Sequence, residues 1–100
     1  MTTMKQSQGK VLVVDDDRAI IDQIQFALET LKCDVEAVGS ATEFNIRIKN
    51  KFHGVILLDV SLPDGNGLKM LDNVRQELPN SPVILMTGKP EHEGVVTVTL

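Results

Sequence analysis

The sequence predicts a doubly wound α/β fold built on a parallel sheet, and three observations carry that expectation. Short aliphatic runs recur at residues 11–14, 55–58 and 83–86, and such runs suit strands buried on both faces of a parallel sheet. Between them lie stretches with apolar residues at helical spacing. Two of the runs end in acid: Asp15-Asp16-Asp17 follows Val14, and Asp59 follows Leu58. Open α/β sheets bind ligands beyond the carboxyl ends of their strands, so these carboxylates meet there if their strands are neighbours.

The elements follow in order. Residues 10–14 form the first strand. Ile20, Ile21, Ile24, Ala27, Leu28 and Leu31 repeat with helical period, so residues 18–31 form an amphipathic helix. Asp16 or Asp17 is placed to cap its start. Residues 34–38 make a weaker second strand, and Gly39-Ser40 turns the chain. Residues 41–51 fit either period: Ala41, Phe44, Ile48 and Phe52 make a helix face, while Phe44, Ile46 and Ile48 alternate like a strand. A right-handed crossover between parallel strands decides for helix. Residues 55–59 form the third strand. The segment Leu62-Pro63-Asp64-Gly65-Asn66-Gly67 is dense in turn residues; Asp64 and Asn66 read as turn formers. Leu68, Leu71, Val74 and Leu78 mark a third helix, and Pro79-Asn80-Ser81-Pro82 separates it from a fourth strand at 83–86. Residues 91–100 carry opposed signals. The alternation asks for a crossover helix there, but Val95, Val96, Thr97, Val98 and Thr99 are β-branched and favour a strand.

Crowded carboxylates repel one another unless a cation joins them. A hard divalent ion such as Mg²⁺, held by one or two carboxylates plus waters, removes that cost. The residues therefore propose an acidic, Mg²⁺-ready pocket. Composition narrows the alternatives. One hundred residues make one domain, and the net charge of −4 comes from ten basic and fourteen acidic residues. The lysines are scattered, so no basic stripe offers itself to nucleic acid. No apolar stretch approaches a membrane span, and the polar start lacks a signal-peptide core. Cys33 is the single cysteine, which excludes an internal disulfide and fits a reducing compartment; it reads as a small apolar filler. These features point to a cytoplasmic protein. His53 and His92 stand apart, without ligand-like spacing, and read as surface residues.

Four pieces together resemble the receiver domain of two-component response regulators. Val11-Leu12-Val13-Val14-Asp15-Asp16-Asp17 is similar to that family's first strand with its acidic pair, Asp15 and Asp16. Leu57-Leu58-Asp59 looks like the phosphoacceptor at the end of the third strand. The stretch from Asp59 through Leu62 and Pro63 to Asn66-Gly67 fits the family pattern of Asp, two residues, an aliphatic, Pro, two residues, Asp or Asn, then Gly. Pro82-Val83-Ile84-Leu85-Met86-Thr87-Gly88 resembles the fourth strand and its switch hydroxyl.

The resemblance implies a flavodoxin-like receiver fold and a role for each residue. Asp59 is the nucleophile that takes a phosphoryl group. Asp16 and Asp59 bind Mg²⁺ directly, with the backbone carbonyl of Ser61, and Asp15 acts through a metal-bound water. The Thr87 hydroxyl bonds the phosphoryl oxygen and biases a two-state switch. The implied partners are a sensor histidine kinase or histidine phosphotransfer protein as donor, and a downstream output domain or protein; neither nucleic acid nor membrane is contacted directly. The match covers about residue 10 to at least residue 88. Residues 10–100 are expected to form a receiver lacking the family's fifth strand and fifth helix, after a flexible lead-in over 1–9. That is either a fragment of a longer regulator or a short form whose open sheet edge is covered in a homo-oligomer. The family's phosphate-contacting lysine follows its fifth strand. Lys89-Pro90 comes too soon after Thr87 to be that pair, although Lys89 borders the pocket and is a candidate substitute contact. Two other readings stay open: a pseudo-receiver that works by protein contact without phosphorylation, and a haloacid-dehalogenase-like phosphatase using Asp15, whose pattern expects Thr or Val where Ala19 stands.

Overall fold

The computed structural model of the chain describes residues 9–86 and the backbone of a strand at Val96–Thr99. Its elements run β1 (Lys10–Val14), α1 (Arg18–Thr30), β2 (Asp34–Val38), α2 (Ala41–Lys49), β3 (Val55–Asp59), α3 (Gly67–Glu77), β4 (Val83–Met86) and β5 (Val96–Thr99). They form one sheet in the order β2-β1-β3-β4-β5. The first four strands are parallel, as a βαβ alternation requires.

Side-chain alternation along the strands divides the core in two. Leu12 and Val14 of β1, Ile56 and Leu58 of β3, and Val83 of β4 pack on Phe44 and Ile48 of α2 and Met70 and Val74 of α3. Val11 and Val13 point the other way, against Ile21, Ile24 and Leu28 of α1. Cys33 fills space in this second cluster beside Val35. Leu12, Val13 and Val14 are wholly buried, which explains why β1 is an unbroken aliphatic run and not an alternating one.

The ambiguous segment after Ser40 is a helix. Phe44 and Ile48 bury one face of it, while Ile46 stays 60 % exposed, so the strand-like alternation there has no buried counterpart. Arg47 on its outer side binds Glu36 of β2 through two hydrogen bonds of 2.5 and 2.8 Å and lies over the Phe52 ring.

The open question at the end of the chain resolves in favour of local propensity at Val96–Thr99. These residues form β5, antiparallel to β4, with Met86 opposite Val96 and Val83 opposite Thr99. The sheet thus has a fifth strand, but it is antiparallel and not the parallel strand that a crossover helix would deliver. β-Branched side chains fit a pleated surface better than a helix. Residues 1–8 of the expected lead-in over 1–9, residues 87–95 and residue 100 lie outside the described residues.

Candidate functional site

The site is built where β1 and β3 end side by side. Val14 pairs with Leu58, so the next residues, Asp15 just past β1 and Asp59 at the end of β3, come together at the carboxyl edge of the sheet. Both are buried, at 7 % and 8 % exposure, while Asp16 faces solvent. One carboxylate oxygen from each of Asp15, Asp16 and Asp59 lies within 4.8 Å of the other two. The expected acidic cluster therefore forms.

Backbone donors fix two of these carboxylates. The Asp17 N–H donates to Asp15 Oδ1 at 2.9 Å, and the Ser61 N–H donates to Asp59 Oδ1 at 2.8 Å. The Asp15 N–H in turn donates to the Val38 carbonyl at 3.1 Å, which seats the end of β2 against the site. Burial pushes the Asp15 carboxyl up from its ordinary pKa. The Asp17 N–H opposes that shift, and the negative charges of Asp59 and Asp16 add to it. Two carboxylates about 5 Å apart repel by roughly 3 kcal/mol at an effective dielectric near 20. That is a sizeable fraction of the ~5–15 kcal/mol that holds a domain folded.

Asp17 has a separate job. Its Oδ1 accepts the N–H groups of Ala19 and Ile20 at 2.9 and 3.4 Å, making it the N-cap of α1. Asn66 caps α3 in the same way, through Leu68 and Lys69. A cleft of about 240 Å³ opens beside the cluster, lined by Asp15, Asp16, Arg18, Gly39 and Glu43 among others. Arg18 at its rim pairs with Asp22 at 3.3 Å.

One residue does more than its sequence context suggested. Asp64, a turn former by local pattern, sends its carboxylate across to the start of α2. Oδ1 accepts the Ala41 N–H at 2.8 Å, and Oδ2 accepts the Thr42 N–H and hydroxyl at 3.2 and 3.1 Å. These bonds hold its pKa below the ordinary value. Ser61 lies in the loop after β3 with its side chain exposed, and His53 is at the surface, as expected. Thr87, Lys89 and His92 lie outside the described residues.

With this geometry in place, comparison with known proteins is decisive. The family model of the response regulator receiver domain matches residues 11–99. The chain belongs to the response regulator receiver domain family. Among curated relatives, it is 32 % identical over 89 residues to the transcriptional regulatory protein KdpE of Staphylococcus aureus (strain NCTC 8325 / PS 47), covering 89 % of this chain and 38 % of that protein. It is 33 % identical to the probable transcriptional regulatory protein TcrX of Mycobacterium tuberculosis, covering 86 % of this chain and again 38 % of the relative. The chain thus spans about two fifths of the length of these relatives. Among solved structures, a CheY-like receiver domain protein from Methanospirillum hungatei JF-1 superposes with a TM-score of 0.78 at 35 % identity, covering 83 % of this chain and 66 % of that one. The receiver domain of NtrC4 from Aquifex aeolicus gives 0.72 at 36 % identity, covering 80 % and 66 %. Receiver domains are signalling modules, and the acidic edge of this sheet is consistent with a phosphoacceptor role.

Proposed function

We propose that this receiver accepts a phosphoryl group on Asp59 from a phosphohistidine donor, with Mg²⁺ as cofactor, and passes the signal on through a change of surface. The observation that carries the reading is the convergence of Asp15, Asp16 and Asp59 within 4.8 Å at the carboxyl edge of a receiver-family sheet. The donor set suits the ion. It is all oxygen, and opposite ligands of an octahedral Mg²⁺ lie about 4 Å apart, close to the span of the cluster. Asp16, Asp59 and the Ser61 carbonyl would hold the ion, and Asp15 would act through one of its waters. Bound there, Mg²⁺ neutralises the charge that gathers on the transferring phosphoryl group.

The chain's own residues supply the rest. The Ser61 N–H orients Asp59 by bonding Oδ1, leaving the second oxygen available for in-line attack on phosphorus. That oxygen forms the new bond to phosphorus as the donor imidazole leaves, producing an acyl phosphate. Burial of Asp59 limits water access to the product. In this reading the Thr87 hydroxyl accepts the switch role and Lys89 the phosphate contact.

The partners proposed are a sensor histidine kinase or a histidine phosphotransfer protein upstream, and an output domain or protein downstream. Two matched relatives are transcriptional regulatory proteins, which supports an output in transcription through residues other than these. A cytoplasmic location goes with that role; among the described residues no helix is long and apolar enough to cross a membrane. Self-association is also proposed, but not through the outer edge of β4, which β5 already occupies. It draws support from the beryllofluoride-activated NtrC4 receiver domain dimer, which this chain matches at 37 % identity and a TM-score of 0.74. The phosphatase-like alternative rests on an Asp15-x-Asp17 pattern, and it loses ground because Asp17 is engaged as a helix cap.

The test is intact mass after incubation with Mg²⁺ and acetyl phosphate, beside Asp59→Asn. One phosphoryl addition that requires Mg²⁺ and disappears in the variant upholds the proposal. No addition to folded protein points instead to a pseudo-receiver.

A further inference from the structure

We propose that Asp64 is a positioning residue of the acidic site. Its carboxylate fastens the loop after β3 to the first turn of α2, and so holds Asp59 and the Ser61 carbonyl in place opposite Asp15 and Asp16. The inference rests on the reading of that cluster as a Mg²⁺ site.

The first turn of α2 shows how unusual the arrangement is. A helix leaves its first N–H groups without partners inside the helix, and a cap residue commonly satisfies them. Here Ser40, the N-cap, takes the Glu43 N–H on its hydroxyl at 3.1 Å and the Phe44 N–H on its carbonyl at 3.0 Å. The N–H groups of Ala41 and Thr42 go to Asp64, 23 and 22 residues away. The Thr42 hydroxyl adds a third bond to the same carboxylate. Three bonds to an ionised group at the positive end of a helix make a firm joint.

The joint lies between the two walls of the site. On one side, the end of β2 that leads into α2 is bound to Asp15: the Val38 carbonyl accepts the Asp15 N–H, and Gly39 lines the cleft with Asp15 and Asp16. On the other side, the loop after β3 carries Asp59, whose Oδ1 orientation depends on the Ser61 N–H. Asp64 ties that loop to the same turn of α2. Gly65 allows the approach, because a Cβ there would stand 2.5 Å from the Ala41 Cβ. Both walls are thereby referenced to one helix end. Without Asp64, the loop keeps its buried Leu62 anchor but loses the joint that sets its distance from Asp15 and Asp16.

The experiment compares wild type with Asp64→Ala, Asp64→Asn and Arg47→Ala. Mg²⁺ affinity is read by isothermal calorimetry, the Ser61 amide by NMR, and stability by thermal melting. Arg47→Ala loosens α2 from β2 at a distance from the site and controls for stability alone. The expected result is a loss of Mg²⁺ affinity of about tenfold in Asp64→Ala, the low end of the cost of removing outer-shell support from a metal site. Asp64→Asn, which keeps one acceptor, should recover part of that loss, and Arg47→Ala should melt earlier while binding Mg²⁺ like wild type. Should Asp64→Ala not fold, Asp64→Asn still decides, through a smaller loss of affinity and a shifted Ser61 amide. Wild-type affinity in both Asp64 variants overturns the proposal and leaves the Mg²⁺ reading standing. Failure of the wild type itself to bind Mg²⁺ overturns both.

Discussion

Asp15 and Asp59 each follow the last shared rung of β1 and β3, Val14 with Leu58, and bring carboxylate oxygens within 4.8 Å of each other, both residues less than one-tenth exposed. Neighbouring carboxylates in that setting work against folding until a cation joins them. Burial is the larger part of the shift at Asp15, and the Asp59 charge adds to it. A raised folded-state pKa means that ionised Asp15 costs stability at neutral pH, and that the cost disappears as pH falls below the ordinary aspartate value. Asp15→Asn should therefore stabilise the metal-free protein near pH 7. Thermal melts in chelator check this. A variant that melts below wild type at pH 7 would contradict the account of the cluster.

Asp16 and Asp17 are adjacent and chemically identical, yet the structure gives them different work. Asp17→Ala removes the α1 cap and should cost about 1 kcal/mol, lowering Tm by about 4–8 °C for a domain of this size, with Mg²⁺ binding retained. Asp16→Ala should do the reverse, with Mg²⁺ binding lost and Tm held or raised in chelator. Melts and calorimetric Mg²⁺ titration on both variants read the two effects separately.

Gly65 and Ala41 form a contact that admits no added methyl group. A Cβ at residue 65 would also stand 3.0 Å from the Met70 sulfur. Gly65→Ala should destabilise by about 1–3 kcal/mol, the usual cost of overpacking. Ala41→Gly removes the opposing methyl and should rescue part of that loss in the double variant. Chemical denaturation of all four proteins gives the coupling, and strict additivity would show that the methyl groups do not collide.

Glu36 predicts part of the acid response. The Arg47 guanidinium bonds it directly and, with help from Lys10, holds its pKa below the ordinary value despite partial burial. A depressed folded-state pKa gives stability that is complete above the ordinary glutamate value of about 4.3 and is lost as pH falls through the lower folded-state value. The pair is partly exposed, so its worth is about 1 kcal/mol or less. Glu36→Gln should lower stability at pH 7 and flatten the acid side of the stability curve below pH 4. An unchanged acid limb would assign that part of the response to other carboxylates.

The strands and the acidic edge were legible because their signals are local. Three aliphatic runs mark β1, β3 and β4, acids follow the first two of them, and the parallel crossovers then bring Asp15 beside Asp59. The helix over 41–49 needed topology to overrule an equivocal pattern, and at 96–99 the β-branched run overruled topology. Asp64 stayed hidden because its partners, Ala41 and Thr42, are near only in space. The end of α1 was equally silent. It closes with the Lys32 and Cys33 N–H groups donating to the Glu29 and Leu28 carbonyls, at 2.9 and 3.0 Å, with Lys32 at φ 65° where glycine would be the usual marker.

The shared rung of β1 and β3 has a consequence for assembly of the chain. Neighbouring residues of a strand face opposite layers, so a slip of one position would turn Asp59 away from Asp15 and bring Leu58 to the acidic edge. Only the correctly paired sheet presents the three carboxylates together. Metal binding would then act as proofreading, withholding its stabilisation from every misaligned pairing of the two central strands.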